Sequence, residues 1–187
     1  TADIIGCSRQ EAKAHTFKPL YGGTTGTEAQ QRYYRAFKEK YEGVSIWHDK
    51  LQREAVKTKQ ITLPSGRQYA FPSARWTEWG TATNRTAICN YPVQGFATAD
   101  LLPTALVRLS KMMRVRKLNS VICNTVHDSI VLDVHPDEKD ACIKLLEYAM
   151  LSLPTESVNR YGIEYDMPVG IELKIGKNWL DTEVVNL

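Results

Sequence analysis

The sequence predicts a mixed α/β (α+β) chain in two parts, a helical part followed by an α/β part with antiparallel strands. Helix-capping signals and helical spacing fill residues 8–58, whereas short β-branched runs separated by turn signals alternate with helical stretches further on. With 187 residues and 43% hydrophobic composition, the chain can bury one core together with a small second lobe.

Ser8 followed by Glu11 is a capping box that starts a first helix at Arg9, and Tyr21-Gly22-Gly23 ends it. Pro19 removes one backbone hydrogen bond from that helix and is expected to kink it just before Tyr21. Gly22-Gly23-Thr24-Thr25-Gly26-Thr27 lacks the Gly-Lys-Ser/Thr ending of a phosphate loop and follows a helix, so it is read as an interhelical loop. Thr27 with Gln30 caps a second helix, expected to run to about Glu42, to stop at Gly43 and to pack through Tyr33, Tyr34, Phe37 and Tyr41. A third helix covers Ser45 to Thr58. Gln60-Ile61-Thr62-Leu63 and Gln68-Tyr69-Ala70-Phe71 flank Pro64-Ser65-Gly66-Arg67 and predict a β-hairpin. Pro72 to Asn84, with Trp76, Trp79 and Gly80, has no clear period and marks the boundary between residues 1–80 and 81–187.

Beyond the boundary, a long helix is expected from roughly Gln94 to Arg114, interrupted or bent near Pro103. Val121-Ile122-Cys123 and Ile130-Val131-Leu132 predict strands, Asp137 to Leu153 an amphipathic helix, and Val169 to Ile175 a last strand.

Charge is unevenly spread. Residues 1–85 hold 14 Lys and Arg against 8 Asp and Glu, a net of +6, while residues 86–187 hold 10 against 13, a net of −3. A basic half suits phosphate and an acidic half supplies carboxylates for a metal, although ordinary solubilising charge has the same form. Cys7, Cys89, Cys123 and Cys142 show neither C-x-x-C pairing nor zinc-finger spacing to a His, so free buried thiols are expected. No apolar run reaches membrane-spanning length and Thr1-Ala2-Asp3 begins nothing like a signal peptide; the expectation is a soluble protein with no membrane partner, located in the cytoplasm, or in the host cytoplasm if phage-encoded.

In the first helix Arg9, Lys13, Phe17 and Tyr21 stand four apart, a spacing that drifts only about 40° per step and places them on one face. The two cations lie nearest the positive end of the helix dipole. Such a face can hold a nucleotide, phosphates on Arg9 and Lys13 and a base on the aromatic rings; the same spacing also serves a solvated basic stripe with Phe17 and Tyr21 in a core. Asp128, between β-branched runs, must sit at a hairpin turn or answer to a partner, because an unpaired buried carboxylate is very costly.

Four blocks in order carry a family resemblance. R-x3-K-x3-F-x3-Y-G over Arg9–Gly22 resembles the fingers helix of family A DNA polymerases, the class of bacterial DNA polymerase I and its phage relatives. Asn90-Tyr91-Pro92-Val93-Gln94-Gly95-Phe96-Ala97-Thr98-Ala99-Asp100 and Val126-His127-Asp128-Ser129 follow in the same order, and Gly176-Lys177-Asn178-Trp179 looks like the closing G-x-N-W.

The resemblance implies a helical fingers subdomain over residues 1–80 and a right-hand palm segment over 81–187. It implies template-directed transfer of dNMP to a primer 3′-hydroxyl by a two-metal mechanism, with dNTP and primer–template DNA as partners and two Mg²⁺ in the complete enzyme. Arg9, Lys13, Phe17 and Tyr21 would bind the nucleotide, Lys13 also acting in catalysis; Asp128 would be the metal-binding aspartate. Asn90, Gln94 and His127 would contact DNA. Gln94 is expected at a helix start, with Gly95 letting a backbone approach closely. Many relatives place an Arg at the position of Thr86, which leaves Arg85 as the nearest candidate for that DNA contact. An acidic residue usually follows the aspartate, where this chain has Ser129. The family's other catalytic aspartate belongs to a D-x-S-x-x-E-like block before the fingers helix, and no such block occurs in the 187 residues. The expectation is therefore a fingers-plus-palm portion, a fragment or one half of a split polymerase, inactive alone and completed by an N-terminal portion carrying that aspartate; the alternative is a non-catalytic nucleotide- or DNA-binding module.

Overall fold

Two polar residues three apart open each of the first two helices. In the computed structural model, which describes residues 8–21, 26–166 and 168–185 and excludes the side chains of Arg9, Gln10 and Ala14, α1 (Arg9–Leu20) and α2 (Glu28–Lys40) begin with the capping boxes Ser8/Glu11 and Thr27/Gln30. Gly22 to Thr25 of the expected loop, and Cys7, lie outside the described residues. Pro19 sits fully buried in the last turn of α1, and Tyr21 N–H still reaches Phe17 C=O at 3.0 Å.

Gly43 does not end the second helix. The break falls at Tyr41 (φ −115°, ψ 57°), whose N–H closes α2 on Phe37 C=O and whose C=O accepts from Val44 N–H to open α3 (Glu42–Thr58). Gly43 lies in the first turn of α3 without a positive φ, so its conformational freedom is unused. Of the expected packing aromatics, Tyr34 is fully buried while Tyr41 is 46% exposed.

The chain folds as two compact units, Thr1–Gly95 and Phe96–Leu187, a division inside the Asn90–Asp100 block and beyond the 80/81 boundary that the sequence suggests. In the first unit, strands β1 (Gln60–Thr62) and β2 (Gln68–Ala70) pair antiparallel with Gln60 opposite Ala70. Leu63 N–H bonds Arg67 C=O at 2.8 Å and Gly66 N–H bonds Leu63 C=O at 2.9 Å, while Gly66 takes φ 83°. This is a three-residue hairpin loop with a glycine bulge.

The stretch after it repeats the device. Thr77 N–H bonds Thr81 C=O at 2.8 Å, Gly80 N–H bonds Thr77 C=O at 3.0 Å, Gly80 takes φ 67°, and Trp76 bridges Ala82 antiparallel. Ala74 and Ala82 are buried in one core with Leu51, Ala55, Ile61, Phe71 and Ile88, so the segment without a sequence period is anchored structure. Ala82 N–H also donates to the buried Gln52 Oε1 of α3 at 3.0 Å.

The helix expected from Gln94 begins already at Arg85. It runs as α4 (Arg85–Gly95), a π-helical stretch (Phe96–Leu101) and α5 (Leu102–Val115). Pro103 lacks the N–H that an α-helical carbonyl four residues earlier would need, and the i→i+5 spacing of the π-helix passes over that gap; Thr104 Oγ1 donates to Asp100 C=O at 2.9 Å.

In the second unit, β3 (Val121–Val126) and β4 (Ser129–Asp133) form an antiparallel hairpin with a bulge between Ile122 and Asn124. After a 3₁₀ turn (Pro136–Glu138), α6 (Lys139–Leu151) ends before Pro154, and a further helix, α7 (Leu153–Tyr161), takes the proline in its first turn. Leu109 and Met113 of α5 pack with Leu145 and Ala149 of α6 over Ile122, Ile130 and Leu132 of the hairpin. The expected last strand shortens to β5 (Lys174–Gly176), paired with β6 (Thr182–Val184), a strand that the sequence pattern does not announce. Cys89 and Cys142 are buried free thiols, but Cys123 is exposed, next to the bulge of β3, which breaks its alternation.

Candidate functional site

Building from the N-terminus of α1, Ser8 Oγ accepts from Glu11 N–H at 3.3 Å, and Glu11 Oε2 accepts from Ser8 N–H at 3.0 Å and Ser8 Oγ–H at 2.8 Å. The Ser8 backbone donor, then its hydroxyl, holds the Glu11 carboxyl below the usual carboxylate range. The helix so fixed carries Lys13, Phe17 and Tyr21 in a row. Lys13 Nζ stands 5.6 Å from the Phe17 ring centroid, and the Phe17 and Tyr21 rings stack at 6.0 Å with 26° between their planes. Phe17 is 41% exposed, whereas Ala12 and Pro19 are buried, so the aromatic row faces away from the buried side of α1. Arg9 is in the first turn of the same helix; its side chain lies outside the description.

Tyr21 meets a second candidate residue. Gln94 Nε2 donates to Tyr21 Oη at 3.4 Å. Gln94 lies in the last turn of α4, not at a helix start, because the helix is already nucleated at Arg85 behind Asn84, whose C=O accepts from Ile88 N–H at 3.0 Å. Asn90, one turn earlier, is half-buried. A Cβ on Gly95 would fall 2.0 Å from Tyr69 Oη, so the close approach needing glycine is made by a side chain rather than by a backbone. Tyr69 and Phe71 in turn pack on Tyr91, at 5.1 and 5.9 Å between centroids.

Arg85 is half-buried, and its Nε has no hydrogen-bond partner among the described residues. It lines a cavity of about 540 Å³ with Lys38, Ser45, His48 and the carboxylates Glu39, Glu42 and Asp49. Burial first, and the Arg85 charge second, pull both the Lys38 ammonium and the His48 imidazole below their ordinary ranges. Burial also pushes the Cys89 thiol up to about 11, against the opposing pull of Arg85.

In the second unit, Val126 pairs with Ser129 and leaves His127-Asp128 as a two-residue hairpin turn, with Ser129 Oγ donating to Val126 C=O at 2.9 Å. His127 takes φ 55°, the positive value that primed hairpin turns need at their first loop position. Asp128 is thus held out at the tip of an apolar hairpin, exposed together with His127. A carboxylate so presented suits a hard divalent cation, and among the described residues no three His, Cys, Asp or Glu converge on one point.

The G-x-N-W block is a turn. Asn178 Oδ1 accepts from Leu180 N–H at 2.9 Å and Asp181 N–H at 2.8 Å, and a Cβ on Gly176 would fall 2.0 Å from the Asp181 carbonyl oxygen, which explains the glycine. Two features have no counterpart in the sequence pattern as read above: the Trp76–Ala82 hairpin and Glu138, which accepts from the backbone and side chains of both Asn119 and Ser120. For the first, a signal existed, since Thr77-Glu-Trp-Gly-Thr81 has the same glycine offset as Leu63-Pro-Ser-Gly-Arg67. Among the described residues no helix is long and apolar enough to cross a membrane.

Comparison with known proteins fits these blocks. The chain is 28% identical over 193 residues to the DNA polymerase I of Lactococcus lactis subsp. lactis (strain IL1403), covering 97% of this chain and 21% of that protein. It is 28% identical over 190 residues to the thermostable DNA polymerase I of Thermus filiformis, with 94% and 21% covered, and 26% identical over 166 residues to the DNA polymerase of Bacillus phage SP01, with 86% and 17% covered. The chain thus spans about a fifth of the length of the curated relatives it matches. Its fold matches the polymerase domain of Pol1 from M. smegmatis, solved in complex with DNA primer-template and dNTP, at a TM-score of 0.69 and 19% identity over 81% of this chain and 30% of that one. A family model for DNA polymerase family A matches residues 3–181, and the chain belongs to that family.

Proposed function

We propose that this chain is the fingers-plus-palm portion of a DNA-directed DNA polymerase, which selects the incoming dNTP and supplies one metal-binding carboxylate for transfer of dNMP to a primer 3′-hydroxyl. The observation that carries the reading is the row Lys13, Phe17, Tyr21 on one face of a capped helix, in a chain of DNA polymerase family A. Lys13, with Arg9 one turn nearer the positive end of the helix, holds the triphosphate through charge-assisted contacts, and Lys13 steadies the charge that develops there on transfer. Phe17 meets the sugar and Tyr21 the base. Asn90 and Gln94 contact the primer–template near the insertion site, His127 the primer end, and Arg85 a DNA phosphate. Fingers and palm correspond to residues 1–80 and 81–187. That a similar fold has been solved with primer-template and dNTP supports these partner classes.

Asp128 would hold Mg²⁺. When bound, the two Mg²⁺ of the complete site lower the pKa of the primer hydroxyl and stabilise charge on the departing pyrophosphate. Because the 187 residues hold no D-x-S-x-x-E-like block, the reading is a division of labour: the other aspartate comes from a polymerase segment outside these residues, and the chain by itself binds nucleotide and DNA without catalysis.

Complementation tests this. Mixed with a family A palm portion that carries the first aspartate motif, the wild-type chain should extend a primer, while Asp128→Ala should lose at least about a hundredfold in rate with an unchanged melting temperature. Normal extension by the variant would remove Asp128 from the site; extension by the 187-residue chain alone would overturn the division of labour.

A further inference from the structure

The hairpin that repeats the β1–β2 turn presents its most apolar residue to solvent. Trp79 occupies the tip of Thr77-Glu-Trp-Gly-Thr81 and is 81% exposed, and Trp76, at the bridge below it, is 46% exposed. Neither ring has an aromatic or cationic partner among those identified in the described residues. An indole left in water forgoes the burial that would stabilise it and offers an open aromatic face to a ligand.

The support beneath that ring is stiff. Besides the two turn bonds, Thr77 Oγ1 bonds Thr81 C=O at 2.9 Å, Thr83 N–H bonds Arg75 C=O at 2.9 Å, and Arg75 N–H bonds Thr83 Oγ1 at 3.1 Å. Thr83 Oγ1 donates on to Ser73 C=O at 3.1 Å, and Ala74 and Ala82 anchor both arms in the core. A ring held in place before its ligand arrives loses little entropy on binding. Charge selects the ligand: Arg75 is exposed on the stem two residues beyond Ser73, whereas Lys59 Nζ donates to Ala74 C=O and Arg85 shares its cavity with Glu39, Glu42 and Asp49. An isolated aromatic tip with an exposed guanidinium on its stem matches the requirements of an unpaired nucleobase attached to phosphate, whereas a protein surface would need a broad contiguous apolar patch.

We propose that the Trp79 hairpin is a stacking site for single-stranded DNA, in which an unpaired base lies on the Trp79 indole and Arg75 meets the adjoining phosphate. The site rests on the polymerase reading, since it serves DNA near the fingers, but it involves none of the residues assigned to nucleotide or metal binding.

Binding of fluorescein-labelled oligo(dT)20 and of a blunt 20-base-pair duplex to the 187-residue chain tests it. Trp79→Ala should weaken oligo(dT)20 about tenfold and the duplex less than twofold, Trp79→Phe should recover most of the loss, and oligo(dT)20 should quench indole fluorescence more in the wild type than in Trp79→Phe. Arg75→Ala should lower the salt slope on oligo(dT)20 by about 0.7. If the wild type binds DNA and Trp79→Ala matches it, or loses equally on both DNAs, the stacking site is wrong while the polymerase reading stands. If the wild type binds neither DNA, the stacking site and DNA binding by the chain alone both fall, while the polymerase reading is still decided by complementation.

Discussion

Gln94 Nε2 donates to Tyr21 Oη across 3.4 Å, tying the residue that closes α1 to the last turn of α4 across 73 positions of sequence. Two residues assigned to separate contacts, one for nucleotide and one for DNA, thus belong to one polar link. At this length the bond is at the weak end of its class. Tyr21→Phe keeps the ring stacked on Phe17 and removes only the acceptor, while Gln94→Ala removes the donor. A double-mutant cycle in urea unfolding should give a coupling of about 0.5 kcal/mol, with each single change under about 1 kcal/mol. A coupling of zero would mean that the two groups are neighbours without a bond.

Lys13 is exposed, 5.6 Å from the Phe17 ring centroid, and within 4 Å of no carboxylate identified among the described residues. Replacing it should cost little stability. If it holds the triphosphate, Lys13→Ala should weaken dNTP use by about 1.5–3 kcal/mol, or roughly 10- to 150-fold in kcat/KM, as should Arg9→Ala, with primer–template affinity nearly unchanged. Steady-state kinetics of the complemented enzyme check it. An unchanged kcat/KM would return both residues to a solvated basic stripe.

The helix starts were legible because a capping box is a local device: Ser8/Glu11 and Thr27/Gln30 satisfy backbone donors within four residues, whatever surrounds them. The β1–β2 hairpin was legible from its turn residues, and β3 and β4 as strands from their β-branched runs, with a hairpin turn at Asp128 one of two readings left open. Helix ends were less so. Gly43 was available as a stop, but Tyr41 breaks the chain because α2 and α3 both need to bury apolar faces, a demand visible only in three dimensions. The early start of α4 was hidden by Pro92, which reads as a breaker yet lies inside the helix, and the π-helical stretch before Pro103 has no residue signature of its own. The Trp76–Ala82 hairpin lacks apolar alternation because its arms are anchored by two alanines, so only the offset of Gly80 announced it. The row on α1 follows from spacing; the bond from Tyr21 to Gln94 does not, since it depends on how α4 returns to α1.

Glu138 gives the second unit a pH-sensitive joint. Its Oε1 accepts from Asn119 N–H at 2.9 Å and Asn119 Nδ2 at 3.1 Å, and its Oε2 from Ser120 N–H at 2.8 Å and Ser120 Oγ–H at 2.6 Å, while Ser120 Oγ accepts from His135 N–H at 2.9 Å. These donors, the Asn119 backbone first, hold the carboxyl down to about 2. A carboxyl lowered on folding contributes stability that is present above its unfolded value near 4.5 and is lost as pH falls toward 2. The melting temperature of the wild type should therefore drop between about pH 5 and pH 2, and Glu138→Gln should melt lower at pH 7 with a shallower acid limb. Parallel limbs for the two proteins would show that Glu138 does not carry the acid sensitivity.

Phe17 allows the sharpest substrate test, because it lies between Lys13 and Tyr21 and is 41% exposed. In the proposed reading Phe17 meets the 3′ side of the nucleotide sugar. A dideoxynucleotide lacks the 3′-hydroxyl and hence one hydrogen-bonding group at that place. Phe17→Tyr adds a phenolic O–H that can act where the missing hydroxyl would, so it should raise dideoxynucleotide incorporation relative to the normal substrate. Because Phe17 is 41% exposed, the substitution should change stability by less than about 0.5 kcal/mol. Competition between the two nucleotides on one primer–template, using the complemented enzyme, reads the ratio directly. An unchanged ratio alongside a Lys13→Ala defect would place the sugar away from Phe17 while leaving the triphosphate on α1; an unchanged ratio without that defect would remove the whole face from nucleotide binding.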